Sequence, residues 1–139
     1  MILLDTSGLL AAIDASQRAH EAARGALETA NAPLVLSPIV LAELDYLLAT
    51  RIGVAAELAL LDEVSAGAYE LAAFGAADVG EARRILDTYR DLELGLADAS
   101  IAVLAERLDT DVVLTLDERH FRVLRGPSRR PFRLLPADA

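Results

Sequence analysis

Met1-Ile2-Leu3-Leu4-Asp5-Thr6-Ser7 opens the chain with an aliphatic run that stops at an acid and two hydroxyls. The run is short, apolar on every residue and bounded by capping chemistry, so it reads as a strand buried on both faces. Asp5 then stands at the strand's carboxyl end. The same reading extends outward to Leu34-Val35-Leu36 and Val112-Val113-Leu114, and residues 69–72 and 132–135 read as two further strands. Between these runs the apolar spacing is helical over 7–14, with Thr6 or Ser7 as cap, and over 17–30, 54–66, 76–89 and 97–108. Ser37-Pro38 supplies an N-cap followed by proline at the first helical position, which starts a further helix over 38–50. Residues 92–96 read as a loop and 117–124 as a short helical turn. Short apolar strands alternating with helices predict an α/β domain whose parallel sheet is covered by helices, with residues 1–139 forming one domain.

Composition narrows the chemistry. The 139 residues are 54% hydrophobic but only 4% aromatic, so the core is aliphatic. A mean hydropathy of +0.36 suggests that some apolar surface is covered by a partner. The longest apolar stretches are interrupted well before ~18 residues, so no membrane span is expected. No secretory leader is apparent at the amino terminus. With no cysteine there is no disulfide, thiolate metal site or cysteine nucleophile, and a cytoplasmic protein is expected. All 13 basic residues are arginine. The absence of lysine removes the P-loop and Schiff-base chemistries, both of which need one.

The formal charge of −9 is unevenly spread. Residues 1–117 carry 7 Arg against 20 acids, whereas residues 118–139 carry 6 Arg against Glu118 and Asp138. An acidic body therefore ends in a basic segment able to face phosphate.

Four acids stand at places where a parallel sheet gathers ligands. Asp5 and Asp117 follow strands, Asp98 lies at the start of a helix, and Glu43 lies in the helix after Ser37-Pro38. Each has an ordinary explanation as well: Asp5 and Asp117 suit turns and caps, and Asp98 suits a helix dipole, worth roughly 0.3–1 kcal/mol. Glu43, flanked by aliphatic residues, is expected to be partly buried; Asp45, about 200° further round the helix, is expected to face solvent. Two carboxylates ~5 Å apart repel by roughly 3 kcal/mol at an effective dielectric of about 20. Gathered acids should therefore take up a proton or a hard divalent cation. His20 and His120 are the only histidines; His120, close to Asp117 and within reach of RNA, is expected to cap or pack, since a solitary histidine is a poor sign of a metal site.

Taken together, Asp5-Thr6-Ser7, Glu43 in its Ala-Glu-Leu helix, Gly95-Leu96-Ala97-Asp98-Ala99-Ser100-Ile101 and Thr115-Leu116-Asp117-Glu118-Arg119-His120-Phe121 resemble the PIN domain, and within it the VapC-type toxins. The likeness spans nearly the whole chain, in order and spacing. It implies a three-layer α/β/α fold with a mainly parallel five-stranded sheet, and a metal-dependent endoribonuclease acting as the toxin of a toxin–antitoxin pair. It implies a homodimer, an antitoxin partner and an RNA substrate cut to a 5′-phosphate and a 3′-hydroxyl. Asp5, Glu43, Asp98 and Asp117 would be the catalytic acids that hold Mg²⁺ or Mn²⁺, with Ser7 and Thr115 as supporting hydroxyls. Arg119, Arg122, Arg129 and Arg130 are expected to guide the RNA backbone. The alternative is a non-catalytic PIN-like module whose acids receive a partner's arginines.

Overall fold

The computed structural model describes residues 1–139. Five strands, β1 (Ile2–Leu4), β2 (Leu34–Leu36), β3 (Glu70–Leu71), β4 (Val112–Leu114) and β5 (Arg133–Leu135), form one sheet in the order β3-β2-β1-β4-β5. Every neighbouring pair is parallel. Seven helices surround them in a three-layer α/β/α arrangement: α1 (Thr6–Ile13), α2 (His20–Glu28), α3 (Pro38–Arg51), α4 (Val54–Ser65), α5 (Ala76–Thr88), α6 (Leu96–Leu108) and α7 (Glu118–Phe121).

The core follows from the aliphatic runs. Leu3, Leu4, Val35, Leu36, Val113, Leu114 and Leu134 are almost fully buried in the sheet. They meet Leu9 of α1, Leu44 and Leu48 of α3, and Ile101 and Leu104 of α6. Helix α6 has buried residues around most of its circumference, from Ala97 to Ala105. Its alanines and Ser100 let it lie close to its neighbours. The chain's few aromatics contribute one edge-to-face pair, Phe121 against Phe132.

Several boundaries move from their expected places for identifiable reasons. Helix α1 begins at Thr6, so Asp5 itself occupies the cap position, yet its side chain makes no capping hydrogen bond. Its carboxylate is engaged elsewhere, as described below. Helix α2 begins at His20 rather than at residue 17, because Asp14 accepts the Ser16 amide (3.0 Å) and hydroxyl (2.7 Å) and holds a turn. His20 then fastens α2 to α1 through Nδ1 and the Ala11 carbonyl, 2.8 Å apart. Strand β3 shrinks to two exposed edge residues. Leu92, expected to open a loop, instead ends a single 3-10 turn formed by Arg90–Leu92, and α6 starts at Leu96 rather than at residue 97. No helix is long and apolar enough to cross a membrane.

Register brings the site together. Leu4 lies opposite Leu36 on one side and Leu114 on the other, and Leu114 lies opposite Leu135. The strands therefore end level, and Asp5 and Thr115 emerge side by side. The chain leaves β1 towards β2, while β4 lies on the other flank of β1, so the crevice between β1 and β4 is a topological switch point.

Helix α1 must start very close to β4. The Asp5 amide donates to the Leu114 carbonyl (3.0 Å). A Cβ on Gly8 would lie 2.5 Å from that same carbonyl oxygen, so this position needs a residue without a side chain. Gly8→Ala is expected to destabilise the protein by ~1–3 kcal/mol, because backbone rather than a side chain has to yield. Thermal denaturation checks this; an unchanged melting temperature would show that the β4 end moves freely.

Candidate active site

The carboxyl ends of β1 and β4 and the starts of α1, α6 and α7 border one open cleft of about 340 Å³. Asp5, Glu43, Asp98 and Asp117 all line it, together with Thr6, Ser7, Gln17 and Arg51. Four acids from separate stretches of chain are thus brought to one place.

Asp5 is the innermost, 4% exposed. Its Oδ2 accepts hydrogen bonds from the Ser7 hydroxyl (2.8 Å) and the Thr115 hydroxyl (2.7 Å). Burial pushes its carboxyl above the usual range; these hydroxyls oppose the shift, and the charge on Asp117 adds to it. Thr115 Oγ1 also accepts the Asp117 amide (2.9 Å), and Ser7 Oγ accepts the Leu116 amide (3.0 Å). The two hydroxyls therefore fix the acid and stitch β1 to the segment leaving β4.

Asp98 is set by the start of α6. Its Oδ2 accepts the Gly95 amide (3.2 Å), so the expected helix-start role is real. The same carboxyl also faces the cluster. Its pKa is raised to about 6, first by burial and then by the charge on Asp5, against the pull of the Gly95 amide and His120. Asp117 caps α7 by accepting the His120 amide (3.1 Å). Near the starts of α1 and α6 the helix dipoles partly offset the gathered negative charge.

His120 is packed, as expected, but its ring also faces the acids. Its Nδ1 lies 2.7 Å from Asp117 Oδ2 and 3.6 Å from Asp98 Oδ2. The ring is 16% exposed, and Nδ1 has no aligned hydrogen-bond partner. Ligand atoms of Asp98, Asp117 and His120 all fall within 4.8 Å of one another. Two carboxylates and an imidazole nitrogen at that spacing, beside a buried third acid, can hold a metal ion. The signal available in sequence was weak: His120 follows Asp117 by three residues, which matters only once α7 is known to turn there.

Glu43 and Asp45 exchange their expected environments. Glu43 is exposed at the cleft, whereas Asp45 is half-buried and its carboxyl meets that of Glu57 on α4, which pushes the Glu57 carboxyl up. The aliphatic neighbours of Glu43 misled because α3 packs on more than one side, against α1, α4 and α6. The position of α3 relative to α6 is tied by a buried hydroxyl pair: Ser37 Oγ and Ser100 Oγ lie 2.8 Å apart. Ser37 Oγ accepts the Ile39 amide (3.1 Å), and Ser100 Oγ donates to the Ala97 carbonyl (2.7 Å). That link joins the helix bearing Glu43 to the helix bearing Asp98.

The four expected RNA-facing arginines have different surroundings, and none lines the cleft. Arg122 is clamped by Glu118 (2.8 Å) and Asp138 (2.7 Å), and Arg130 by Asp109 (3.2 Å) and Asp111 (3.1 Å). Arg129 borders a second groove, with Tyr89, Arg107 and Arg125. Arg119 is exposed on α7, beside His120. The basic carboxyl-terminal segment thus neutralises part of the acidic body. Gln17 and Arg51 line the cleft instead, a placement that only the tertiary fold reveals.

A sheet of this order with acids gathered at its switch point defines a PIN-type α/β domain. The chain belongs to the PIN domain family, whose model matches residues 2–126. It is 48% identical over 135 residues to Ribonuclease VapC26 of Mycobacterium tuberculosis, covering 97% of this chain and all of that protein. Among solved structures it is similar in fold to M. tuberculosis VapC20, a sarcin-ricin loop cleaving toxin, with a TM-score of 0.79 and 21% identity over 84% of this chain and 90% of that one. It is also similar in fold to VapBC2 of Rickettsia felis, solved bound to a DNA fragment from its promoter, with a TM-score of 0.67 and 24% identity over 96% of this chain and 98% of that one.

Proposed function

We propose that residues 1–139 form one PIN domain that acts as a divalent-metal-dependent endoribonuclease, the toxin of a type II toxin–antitoxin pair. The observation that carries this reading is the convergence of Asp5, Glu43, Asp98 and Asp117 on one cleft. The 48% identity to a named ribonuclease over nearly the full length supports RNA as the substrate.

Asp5, Asp98 and Asp117 would hold Mg²⁺ or Mn²⁺, with Glu43 reaching the same cleft from α3. His120 Nδ1 is a further ligand atom within range. A bound divalent ion lowers the pKa of its water and offsets charge on the phosphate under attack. The protein's own work is positional. Ser7 and Thr115 keep Asp5 turned into the cleft, Gly95 orients Asp98, and the α7 start orients Asp117 and His120. No side chain here is a nucleophile; the acids act through charge and geometry. Of the four arginines expected to face RNA, Arg119 and Arg129 make no ion pair with a carboxylate and so are available for the RNA backbone, whereas Arg122 and Arg130 would first have to leave their acids. Tyr46, Val54 and Leu58 are more than half exposed on α3 and α4, and Ile52 lies between these helices. These exposed apolar side chains suit a protein partner, an antitoxin or a second subunit.

Incubating the purified protein with a panel of structured RNAs tests the function. Cleavage in Mn²⁺ or Mg²⁺, abolished by EDTA and leaving 5′-phosphate ends, is the expected result. Absent cleavage across the panel, or cleavage indifferent to EDTA, would favour the non-catalytic binding module.

A further inference from the structure

Helix α3 carries a second cleft-facing group besides Glu43. Glu43, Leu47 and Arg51 recur every four residues along α3, and all three line the acidic cleft. Arg51 is the sole cationic side chain in that lining. The chain's arginine–carboxylate ion pairs occupy Arg24, Arg84, Arg90, Arg107, Arg122 and Arg130, and leave Arg51 free. It is also exposed, so its guanidinium is available to an incoming ligand.

We infer that Arg51 is a positioning residue for substrate: it binds a backbone phosphate flanking the one that is cut. Eight residues of helix separate it from Glu43 by ~12 Å along the axis, which sets it away from Glu43 within the same cleft lining. A net-acidic cleft repels a polyanion, and a cation at its border offers the approaching strand a first point of attachment. Guanidinium suits that task because its planar fork can donate two hydrogen bonds to one phosphate. Arg51 also ends α3, where a cation is favourable to the helix whatever else it does. That ordinary role predicts a change in melting temperature alone, and so it can be separated from the inferred one. The inference rests on the RNA-cleaving reading.

The test compares the parent with Arg51→Ala and Arg51→Lys on one short labelled RNA in Mn²⁺. For Arg51→Ala, KM should rise about 10-fold with kcat nearly unchanged, as expected for loss of one charged hydrogen bond made alike in ground and transition states. The slope of log affinity against log salt should fall by about 0.7, the value for one phosphate contact on a single strand. Arg51→Lys should recover part of the loss, and calorimetric Mn²⁺ affinity should stay the same in both variants. An unchanged KM and salt slope in Arg51→Ala would overturn the inference. So would a change in Mn²⁺ affinity that accounts for the change in KM, since Arg51 would then be a counter-ion of the acids. If the parent cleaves no RNA in Mn²⁺, the proposed function fails on its own. Binding of the same RNA, followed by fluorescence anisotropy, then decides the role of Arg51: equal binding by parent and Arg51→Ala overturns it.

Discussion

Asp5→Asn is expected to lose RNA cleavage by ~10²-fold or more and, in EDTA, to melt at a higher temperature than the parent; changes to outer-shell partners of metal ligands alone cost ~10–100-fold. The two effects have one cause. Asp5 is buried, and its charge is opposed by desolvation and by Asp117. Asparagine keeps the shape and leaves an oxygen to accept the Ser7 and Thr115 hydroxyls, which both bond one oxygen of Asp5. It removes the charge that burial opposes in the metal-free fold and that a bound metal would need. Saturating Mn²⁺ should narrow or reverse the difference, because only the parent gains the full binding energy. Asp5→Ala makes the control: the charge is equally absent, but two hydroxyls lose their acceptor and stability should fall. An Asp5→Asn protein that melts clearly below the parent in EDTA, or keeps most of its activity, would contradict the assigned role.

Asp98→Asn is expected to remove much of the pH dependence of the metal-free fold. The folded-state pKa of Asp98, about 6, lies above its ordinary value of 3.8. A raised acid binds its proton more tightly when folded, so its stabilising effect is complete below pH ~4 and is lost as pH rises through 6. The shift corresponds to about 3 kcal/mol between those limits. Asp5 and Glu57 are raised as well and act in the same direction, whereas Asp14 and Asp138 are lowered and act in the other. The clean readout is therefore the difference between parent and variant. In EDTA the parent's melting temperature should fall relative to that of Asp98→Asn between pH 4 and 7, and metal should suppress the divergence above pH 6. Parallel curves would show that Asp98 does not carry the cost. Cleavage by the parent should rise over the same interval, as Asp98 gives up the proton that competes with the ion.

Much of this arrangement was legible in the sequence, for local reasons. Strands β1, β2 and β4 are short aliphatic runs bounded by acids, hydroxyls or proline, and Ser37-Pro38 marks the start of α3 unambiguously. The acids at strand ends and helix starts stood out because those positions are where a parallel sheet exposes ligands. What stayed hidden depends on contacts between distant segments. The exposure of Glu43 and the half-burial of Asp45 depend on which neighbours α3 meets, and an aliphatic helix gives no preference from its own pattern. The approach of His120 Nδ1 to Asp98 joins residues from two helices, and a single histidine carries no spacing that foretells it. The Gly8 contact with Leu114 likewise appears only when α1 and β4 meet. The basic segment after Asp117 looked like an RNA-facing patch by charge count, yet Arg122 and Arg130 are held by Glu118, Asp138, Asp109 and Asp111. The cation in the cleft is Arg51, from the acidic part of the chain.

Calorimetric titration of the protein with Mn²⁺ near pH 6, in buffers of different ionisation enthalpy, addresses the gathered carboxylates directly. Saturable binding with release of a fraction of a proton, weakened by Asp5→Asn, Asp98→Asn and Asp117→Asn alike, is the predicted result. No saturable binding, or an affinity indifferent to all three substitutions, would contradict it.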